Sequence, residues 1–564
     1  MRKHHQSLVI ACIMLPLVAG GCQSLPSEKP ASITAESSPR FFDGLGSHTR
    51  PVATSSADAQ RYFNQGLVLA YAFNHDEAIR SFQAAAKADP ACAMAWWGIA
   101  LCNGPHINNA AMDEAHSKAA WDALQQALSF KATAHEADRD LIDALATRYA
   151  WPAPQDRKPL DEAYAEAMRS VWHAHRNDAD IGSLFAESMM DLRPWDLWQQ
   201  GGSPQPGTEE IVATIEEALR LDANHPLANH LYIHAVEASP NPARAIAAAD
   251  RLRTLVPGSG HLTHMPSHID VRVGRWQEAA ACNERAIKID ADYRKISPNQ
   301  GFYHVYMAHN YQFLAFTGMM EGRRDVALKA SRDMVKAVPP AFIDVAAPLI
   351  DPILSMPLDV MKRFGMWDEI LHEPMPDARL PITTAIWRLN RATALAVKGD
   401  IAGAEREQAV FRECVQKLPK DAMMTINPAA KVMELADHVL AGELAYRRGQ
   451  TAAAVSELAK AVEIEDTLTY MEPPDWLIPA RHTLGAVLTA AGRHDEAQRV
   501  YRDDLVKWPE NGWSLMGLAE CLKATQHTSD AAQVQARFKK AWARSQVKTG
   551  PTCLCVDAKD NDGR

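Results

Sequence analysis

Residues 59–90 read AQRYFNQGLVLAYAFNHDEAIRSFQAAAKADP, and the spacing of their small and aromatic residues carries most of the information about the fold. Intervals of 4, 12, 4, 3 and 5 residues separate Tyr62, Gly66, Ala78, Phe82, Ala85 and Pro90. Parts of this pattern recur downstream, at Ala279 and Ala286, at Gly442 followed by Ala454, Leu458 and Ala461, and at Ala497 and Tyr501 before Pro509. Because 564 residues exceed what one compact core usually supports, an extended repeat array is expected.

The spacing resembles the tetratricopeptide repeat (TPR), in which small residues let two antiparallel helices approach closely and a proline ends the second helix. Several downstream copies are degenerate, with Asn283 where an aromatic residue is expected and Asp504 where a small residue is expected. Strand signals are nearly absent. The resemblance implies an all-α solenoid, a right-handed superhelix of helical hairpins whose first helices line a concave groove suited to a protein or peptide partner.

Composition and repeat pattern divide the chain into seven segments. We predict a lipoprotein signal peptide with its lipobox at 1–22, a flexible tether at 23–56, N-terminal TPR-like hairpins at 57–103, a helical insertion at 104–206, a His-rich TPR-like region at 207–325, a C-terminal TPR-like array at 326–546 and a disordered tail at 547–564.

The N-terminus has the features of a secretory signal peptide, because a basic start precedes an apolar run, from Leu8 to Ala19, that is too short to span a bilayer. The sequence LVAGGC resembles the lipobox of bacterial lipoproteins, although Ala19 stands where leucine is usual. The resemblance implies that Cys22 is lipidated and anchors the protein in the bacterial cell envelope, facing the periplasm. By resemblance to lipoprotein sorting, a residue other than aspartate after the cysteine, here Gln23, favours the outer membrane. Secretion into the periplasm is the alternative.

The charge and cysteine content restrict the partners. A net charge of -10 argues against binding to nucleic acid. Apart from Cys12 and Cys22, seven scattered cysteines remain, and an odd, scattered set predicts no disulfide framework. Cys553 and Cys555 either bind a soft metal or pair with each other, and we assign them to the tail.

Histidines are concentrated in one window. If the 22 histidines were spread evenly over the 564 residues, the 85 residues from 225 to 309 would contain about three. This window contains eight: His225, His230, His234, His261, His264, His268, His304 and His309. Taken singly, each is explained as a hydrogen-bonded packing residue, and His225, just before Pro226, as a helix cap. Taken together, they predict a metal site or joint proton chemistry.

The helix that contains HLYIHAVE presents His230, His234 and Glu237 on one face. Two imidazoles and a carboxylate at this spacing suit a metal ion, but the motif is not HExxH, so no peptidase is inferred. Because Pro266 disfavours helical geometry at the preceding residue, His261 and His264 are expected on a loop that enters the helix of His268.

Repeat register strengthens the metal prediction. His230, His268 and His304 are 38 and 36 residues apart, near the TPR period, so equivalent positions of neighbouring first helices are expected to face one another. We predict a buried or groove-lining metal site with His230, His234, Glu237, His261, His264, His268 and His304 as ligands and His309 as an outer member. Zinc, copper and iron all accept imidazole.

Other residues are candidates for supporting roles, and simple packing is the alternative for each. The side chains of Tyr303, Tyr306 and Asn310 are placed to orient ring nitrogens or to bind a ligand. The loops NGPHIN and DLRPWDLW suggest a groove or rim formed by His106, Arg193, Trp195 and Trp198.

The blocks HLYIHAVE, GHLTHMPSHI and HNY also look like those of bacterial TPR proteins without an established activity. Three functions stay open. The first is a lipid-anchored TPR protein that binds a partner in its groove and carries a His-rich metal site. The second is a metal-dependent enzyme, hydrolytic or redox, with Glu237 or an unligated histidine as general base. The third is a metal-free interaction scaffold.

Overall fold

A computed structural model describes residues 40–298, 300–338, 340–548 and 550–556. Apart from isolated β-bridges, these residues form only helices and loops, which confirms the all-α class. The α-helices are α1 (Ala57–Tyr71), α2 (His75–Ala88), α3 (Ala93–Cys102), α4 (Glu114–Phe130), α5 (Glu136–Ala146), α6 (Lys158–Ala174), α7 (Ala179–Asp191), α8 (Thr208–Leu221), α9 (Pro226–Val236), α10 (Ile246–Leu255), α11 (Gly260–His264), α12 (Pro266–Arg272), α13 (Trp276–Ile296), α14 (Tyr303–Met320), α15 (Arg324–Ala337), α16 (Pro340–Leu354), α17 (Met356–Arg363), α18 (Trp367–His372), α19 (Pro381–Val397), α20 (Ile401–Gln416), α21 (Ala429–Arg447), α22 (Thr451–Glu465), α23 (Ala480–Ala490), α24 (His494–Lys507), α25 (Gly512–Ala524) and α26 (Thr528–Ala541). Short 3-10 helices lie at Lys131–Thr133 and Pro242–Ala245.

Helices that follow one another in sequence pack against one another along most of the chain. Pairs such as α1 with α2, α19 with α20 and α21 with α22 have the most extensive contacts. The helices from α3 to α8, which include the segment predicted as an insertion, also pack consecutively. The fold is therefore of the TPR type, in which each hairpin buries its apolar face against its neighbours.

An aromatic ring clamped between two glycines explains the spacing in residues 59–90. A Cβ atom on Gly66 of α1 would lie 2.8 Å from the ring of Phe82, and one on Gly98 of α3 would lie 2.6 Å from the same ring. The ring on α2 therefore requires glycine on both neighbouring helices. The same arrangement recurs near the C-terminus, where Tyr501 packs between Gly485 and Gly517.

The C-terminal helices return to the middle of the chain. The indole nitrogen of Trp276, at the start of α13, donates to the carbonyl oxygen of Pro509 at 2.8 Å. The indole of Trp513 on α25 donates to the carbonyl oxygen of Met319 on α14 at 2.9 Å. Through these contacts, the C-terminal half of the protein packs against the part of the chain that carries the histidines.

The predicted tether ends earlier in the sequence than expected. Arg50 is buried, and its guanidinium contacts Asp138 at 2.9 Å, Asp178 at 2.8 Å and Asp180 at 3.2 Å. The prediction of a flexible segment to residue 56 is therefore wrong for this part of the chain, because ion pairs attach it to α5 and α7. The predicted signal peptide and Cys22 lie outside the described residues. Within the described ranges, no helix is long and apolar enough to cross a bilayer.

The predicted disordered tail is also ordered in part. Thr552, Cys553, Cys555 and Val556 are buried, and the two cysteines form a disulfide. Arg363 donates to the carbonyl oxygen of Thr552 at 3.3 Å. The prediction of disorder from residue 547 onwards is wrong for these residues, because apolar burial and hydrogen bonds hold them on the helices.

Replacing Asp180 with asparagine should destabilise the fold by about 3–5 kcal/mol, because it leaves the buried Arg50 short of negative charge. Urea denaturation at pH 7 measures this change in the free energy of unfolding. An Asp122→Asn variant, which loses an exposed pair with Lys118, should change it by less than about 1 kcal/mol. Equal effects of the two substitutions would contradict the assigned role of Asp180.

The effect of Asp180 should depend on pH. Burial by itself would raise the pKa of Asp180, but hydrogen bonds from His225 and His48 outweigh it and hold the pKa well below its ordinary value. A carboxyl with a lowered folded-state pKa stabilises the protein above its unfolded-state pKa, and this contribution is lost as the pH falls through the folded-state value. The stability difference between the wild type and Asp180→Asn should therefore shrink in acid.

Candidate metal centre

Six of the histidines meet in the interior as two adjacent groups of three. The first triad is His230, His234 and His261, and the second triad is His264, His268 and His309. In each triad, the three candidate ligand nitrogens lie within 4.8 Å of one another. Five of the six side chains are buried, and that of His309 is half-buried.

Helix α9 contributes two members of the first triad. The helix begins after His225, whose Nδ1 accepts a hydrogen bond from the backbone N–H of Ala228 at 3.1 Å, so this histidine is the helix cap. His230 and His234 follow one turn apart, and their ring centroids are 5.0 Å apart. The structure thus places both imidazoles on one face of α9, as the spacing predicts.

Two short helices contribute the next three histidines. Ser259 caps α11 by accepting from the N–H of Leu262 at 3.2 Å, and Pro266 occupies the first position of α12, where its missing N–H costs nothing. Met265 between them keeps helical dihedral angles, with φ -50° and ψ -38°. The prediction that His261 and His264 lie on a loop is therefore wrong.

The outer nitrogens of three imidazoles have backbone or carboxylate acceptors. His230 Nδ1 donates to the carbonyl oxygen of Tyr71 at 2.8 Å. The two oxygens of Glu237 accept separately, Oε1 from His234 Nδ1 at 3.0 Å and Oε2 from His268 Nδ1 at 2.5 Å. Since these acceptors require a hydrogen on Nδ1, the Nε2 atoms of the neutral rings carry a lone pair.

The second triad has further outer partners of the same kind. His264 Nδ1 donates to Asn283 Oδ1 at 2.7 Å, and the Asn283 amide nitrogen donates to the carbonyl oxygen of Ala279 at 2.9 Å, which fixes the amide orientation. His309 Nδ1 lies 3.3 Å from Gln312 Oε1. Acceptors of this kind fix the orientation and tautomer of histidines that bind metal.

The inner nitrogens face one another. His264 Nε2 and His268 Nε2 are 2.8 Å apart, although both rings already donate through Nδ1. If both rings are neutral, two lone pairs face each other at this distance and repel unless a metal ion or a proton lies between them. His230 Nε2 and His261 Nε2 are 3.2 Å apart, and the buried His234 Nε2 has no hydrogen-bond partner within the described structure. When the rings are neutral, the inner nitrogens of His230, His234, His264 and His268 are thus placed as electron-pair donors, whereas no outer acceptor within the described structure sets the tautomer of His261.

Burial keeps four of the imidazoles neutral, those of His230, His261, His264 and His309. Desolvation, together with the neighbouring histidines, lowers the pKa values of His230, His261 and His264 well below the ordinary histidine value. The pKa of His309 falls to about 3 for the same reasons, desolvation first and the proximity of His268 second. Neutral imidazole is the form that binds metal, so the rings are available as ligands at pH 7.

A second carboxyl group comes from a distant part of the sequence. Glu472, in the loop between α22 and α23, is buried, and neither of its oxygens has a hydrogen-bond partner within the described structure. Its Oε2 lies 3.5 Å from His268 Nδ1. Desolvation and then the charge of Glu237 raise the pKa of Glu472 well above the ordinary glutamate value. The sequence contains no periodicity or motif that connects this residue with the histidines.

The structure does not bring His304 into the cluster. His304 is exposed near the start of α14, and His309, five positions later, points into the second triad instead. Since five residues advance a helix by about 1.4 turns, the two side chains point in different directions. The inclusion of His304 as a ligand is wrong, because the repeat register did not fix the rotation of α14.

Three other residues predicted near the site have structural partners. The Tyr303 hydroxyl accepts from the backbone N–H of His261 at 3.1 Å, and the Asn310 amide donates to Asp290 Oδ2 at 2.7 Å. The ring of Tyr306 packs against His261, with centroids 4.3 Å apart.

Phe73, in the turn between α1 and α2, separates the predicted groove residue His106 from the first triad. Its ring centroid lies 4.7 Å from that of His106 and 4.5 Å from that of His230. His106 is buried, so it lies behind this wall rather than on an exposed rim.

The predicted rim residues form a pocket beside the first triad. Its lining includes Arg193, Trp195, Trp198, Tyr470, His234 and Glu237. Trp195 has a φ of +60°, a left-handed conformation that is costly for a bulky residue, and its indole meets the His234 ring edge-on at 5.3 Å. The indole of Trp198 donates to the carbonyl oxygen of Ala235 at 2.8 Å. The pocket therefore connects an aromatic wall with the first triad.

Two other groups of potential ligands have different explanations. Asp180 Oδ1 accepts hydrogen bonds from His48, His225 and Tyr71 at 3.0, 2.9 and 2.6 Å, so this group is a satisfied hydrogen-bond network. Cys553 and Cys555 lie near Glu443, but their sulfurs are bonded to each other and are not thiolates.

Comparisons with known proteins support the repeat architecture. Residues 59–92 match the family model of the tetratricopeptide repeat, which confirms the resemblance seen in residues 59–90. No curated protein sequence matches the chain. The chain therefore contains a TPR within an all-α fold of the TPR type.

Solved structures of helical-repeat proteins are similar to the chain only at low scores. The human IFIT1 dimer with m7Gppp-AAAA has a TM-score of 0.33 and 12% identity, covering 87% of this chain and 91% of that chain. The APC/C hetero-tetramer Cut9-Hcn1 has a TM-score of 0.31 and 12% identity, with coverages of 86% and 76%. Yeast Tom70 has a TM-score of 0.27 and 14% identity, with coverages of 86% and 90%. Similarity at this level carries no information about ligands or partners.

Proposed function

We propose that this chain is a metal-dependent enzyme on a TPR-type scaffold, in which each histidine triad binds one first-row transition-metal ion. The contact between His264 Nε2 and His268 Nε2 at 2.8 Å is the main support. His264 donates through Nδ1 to Asn283, and His268 donates through Nδ1 to Glu237. In the neutral form, each ring therefore has its hydrogen on Nδ1 and its lone pair on Nε2. A metal ion bound to both Nε2 atoms removes this repulsion.

The donor set favours copper, zinc or iron. Both triads consist of imidazoles, which these metals accept as ligands, whereas magnesium and calcium prefer oxygen ligands. Zinc would supply an activated water for hydrolysis, and copper or iron would supply redox chemistry. Identification of the bound metal therefore decides between the two reaction classes.

The number of protein ligands favours an enzyme over a purely structural metal site. Structural zinc sites usually have four protein ligands, whereas catalytic sites have three and leave one position for water or substrate. Each triad supplies three. The pocket lined by Trp195, Trp198 and Tyr470 lies beside His234 and has room for a water-sized molecule next to the first triad.

Glu237 is better suited to positioning ligands than to acting as the general base. Its two oxygens already accept from His234 and His268, so it orients one imidazole of each triad. The TPR-type fold is also suited to binding a protein partner, as helical-repeat scaffolds generally are. A metal-free scaffold would need an additional proton on one of the two facing rings, His264 or His268, to compensate this contact.

Metal analysis of protein purified without an affinity tag tests the proposal. The wild type should contain about two equivalents of copper, zinc or iron, and a His230→Ala/His268→Ala variant should lose most of this metal because each triad loses a ligand. His304→Ala is the matched control, since His304 is exposed outside the triads, and it should retain the wild-type content. Equal, negligible metal in all three proteins would contradict the proposal and favour the scaffold.

Replacing Glu237 with glutamine should weaken metal binding by about 10–100-fold, because the amide NH2 replaces one of the two oxygens and cannot accept from the ring that faces it. Competition with a chromophoric chelator measures the affinity. Glu209→Gln, an exposed change near the start of α8, is the control and should have no effect. An unchanged metal affinity in Glu237→Gln would contradict the positioning role assigned to Glu237.

We further propose that lipidation of Cys22 holds the protein in the bacterial cell envelope, with the repeats in the periplasm. The lipobox-like LVAGGC at residues 17–22 supports this localisation. Labelling of cells with radioactive palmitate should mark the wild type, whereas Cys22→Ala should be unlabelled and should move from the membrane to the soluble fraction. Membrane association of the unlabelled variant would contradict lipid anchoring.

A further inference from the structure

We propose that the two triads form one coupled two-ion centre, in which a small bridging anion of the hydroxide class is shared by both ions. The inference rests on the proposed metal binding and adds that the ions act as a pair. A protein with two independent ions in separate sites would satisfy the proposed function but not this inference.

The two triads adjoin each other along two edges. The rings of His261 and His264, which lie less than one turn apart on α11, have centroids 6.0 Å apart and an interplanar angle of 22°. The rings of His234 and His268 have centroids 5.9 Å apart. Because each of these pairs takes one ring from each triad, imidazoles of the two groups are direct neighbours. Two-metal sites typically hold their ions about 3.5–4 Å apart, which requires ligand groups that adjoin each other.

One carboxylate links the two triads. Glu237 accepts from His234 of the first triad through Oε1 and from His268 of the second triad through Oε2. A displacement of this carboxylate would therefore move a ligand of each ion. The shared outer partner ties the geometry of one ion to that of the other, which two unrelated sites would not require.

The charge distribution calls for an anion between the ions. Two divalent ions would bring four positive charges into a site whose candidate ligands are imidazoles, which carry no negative charge, and such charges repel strongly where water is excluded. The nearby acidic side chains are Glu237 and Glu472, both buried, and Glu472 has no hydrogen-bond partner within the described structure. Arg272 donates to the carbonyl oxygen of Glu237 and lies near both carboxyl groups, and metal ions would add to the positive charge that these acidic side chains face.

The vacant coordination positions define the class of ligand. Each ion would have three protein ligands and one open position. A single small anion placed between the triads fills both positions and reduces the repulsion between the ions. Hydroxide meets these requirements, and azide is a suitable probe of the same charge and bridging ability.

Electron paramagnetic resonance of the copper(II)-loaded protein tests the inference. Two copper(II) ions that share a bridging ligand couple their unpaired electrons, so the wild type should show far less spin signal than its total copper, with or without azide. His309→Ala removes one ligand from the second triad and leaves the first triad intact. It should bind less copper, and its signal should account for nearly all of that copper. His304→Ala is the control from the same helix and should behave as the wild type.

The outcomes separate the inference from the proposed function. Two coppers per chain with a spin signal equal to the total copper, unchanged by azide, would overturn the coupled centre and leave the metal-binding proposal intact. Absence of stoichiometric copper in the wild type would overturn both. The comparison of spin with copper in the wild type decides the matter even where His309→Ala does not fold.

Discussion

The hydrogen bonds on the outer side of the imidazoles are the constraint on which the rest of the site depends. The carbonyl oxygen of Tyr71, the carboxylate of Glu237 and the amide oxygen of Asn283 all accept from Nδ1 atoms. Each bond fixes a ring and its tautomer, so the lone pairs of Nε2 must point inward. The result is a group of inward-facing donors in a buried space, an arrangement that costs free energy unless a cation binds there.

The helical repeat supplies this arrangement because its hairpins place successive helices side by side. Helices α9, α11, α12 and α14 carry the six imidazoles, while Tyr71 and Phe73 approach from the end of α1. The C-terminal half closes the other side, since Tyr470 lines the pocket and Glu472 lies beside His268. The hydrogen bonds of Trp276 and Trp513 hold the C-terminal helices against α13 and α14, so the site is assembled from both halves of the chain.

Local spacing was sufficient to predict some of these features from the sequence. The intervals around Phe82 predicted the hairpins, because the ring requires Gly66 and Gly98 on its two neighbours. The spacing of four residues predicted that His230 and His234 share a face. His309, and not His304, belongs to the second triad because of the rotation of α14 about its axis, and tertiary packing sets this rotation. Glu472 was not predicted because no local pattern connects it with the histidines, and the ordered tail depends on long-range contacts such as that of Arg363 with Thr552.

The central claim is that two ions are bound by histidine triads, and anomalous diffraction at the metal absorption edge tests it most directly. The account predicts two adjacent anomalous peaks, one surrounded by the Nε2 atoms of His230, His234 and His261 and the other by those of His264, His268 and His309. For zinc, the metal–nitrogen distances should be about 2.0–2.1 Å. A metal-replete crystal with no peak between these imidazoles, or with its metal bound elsewhere on the protein, would contradict the account.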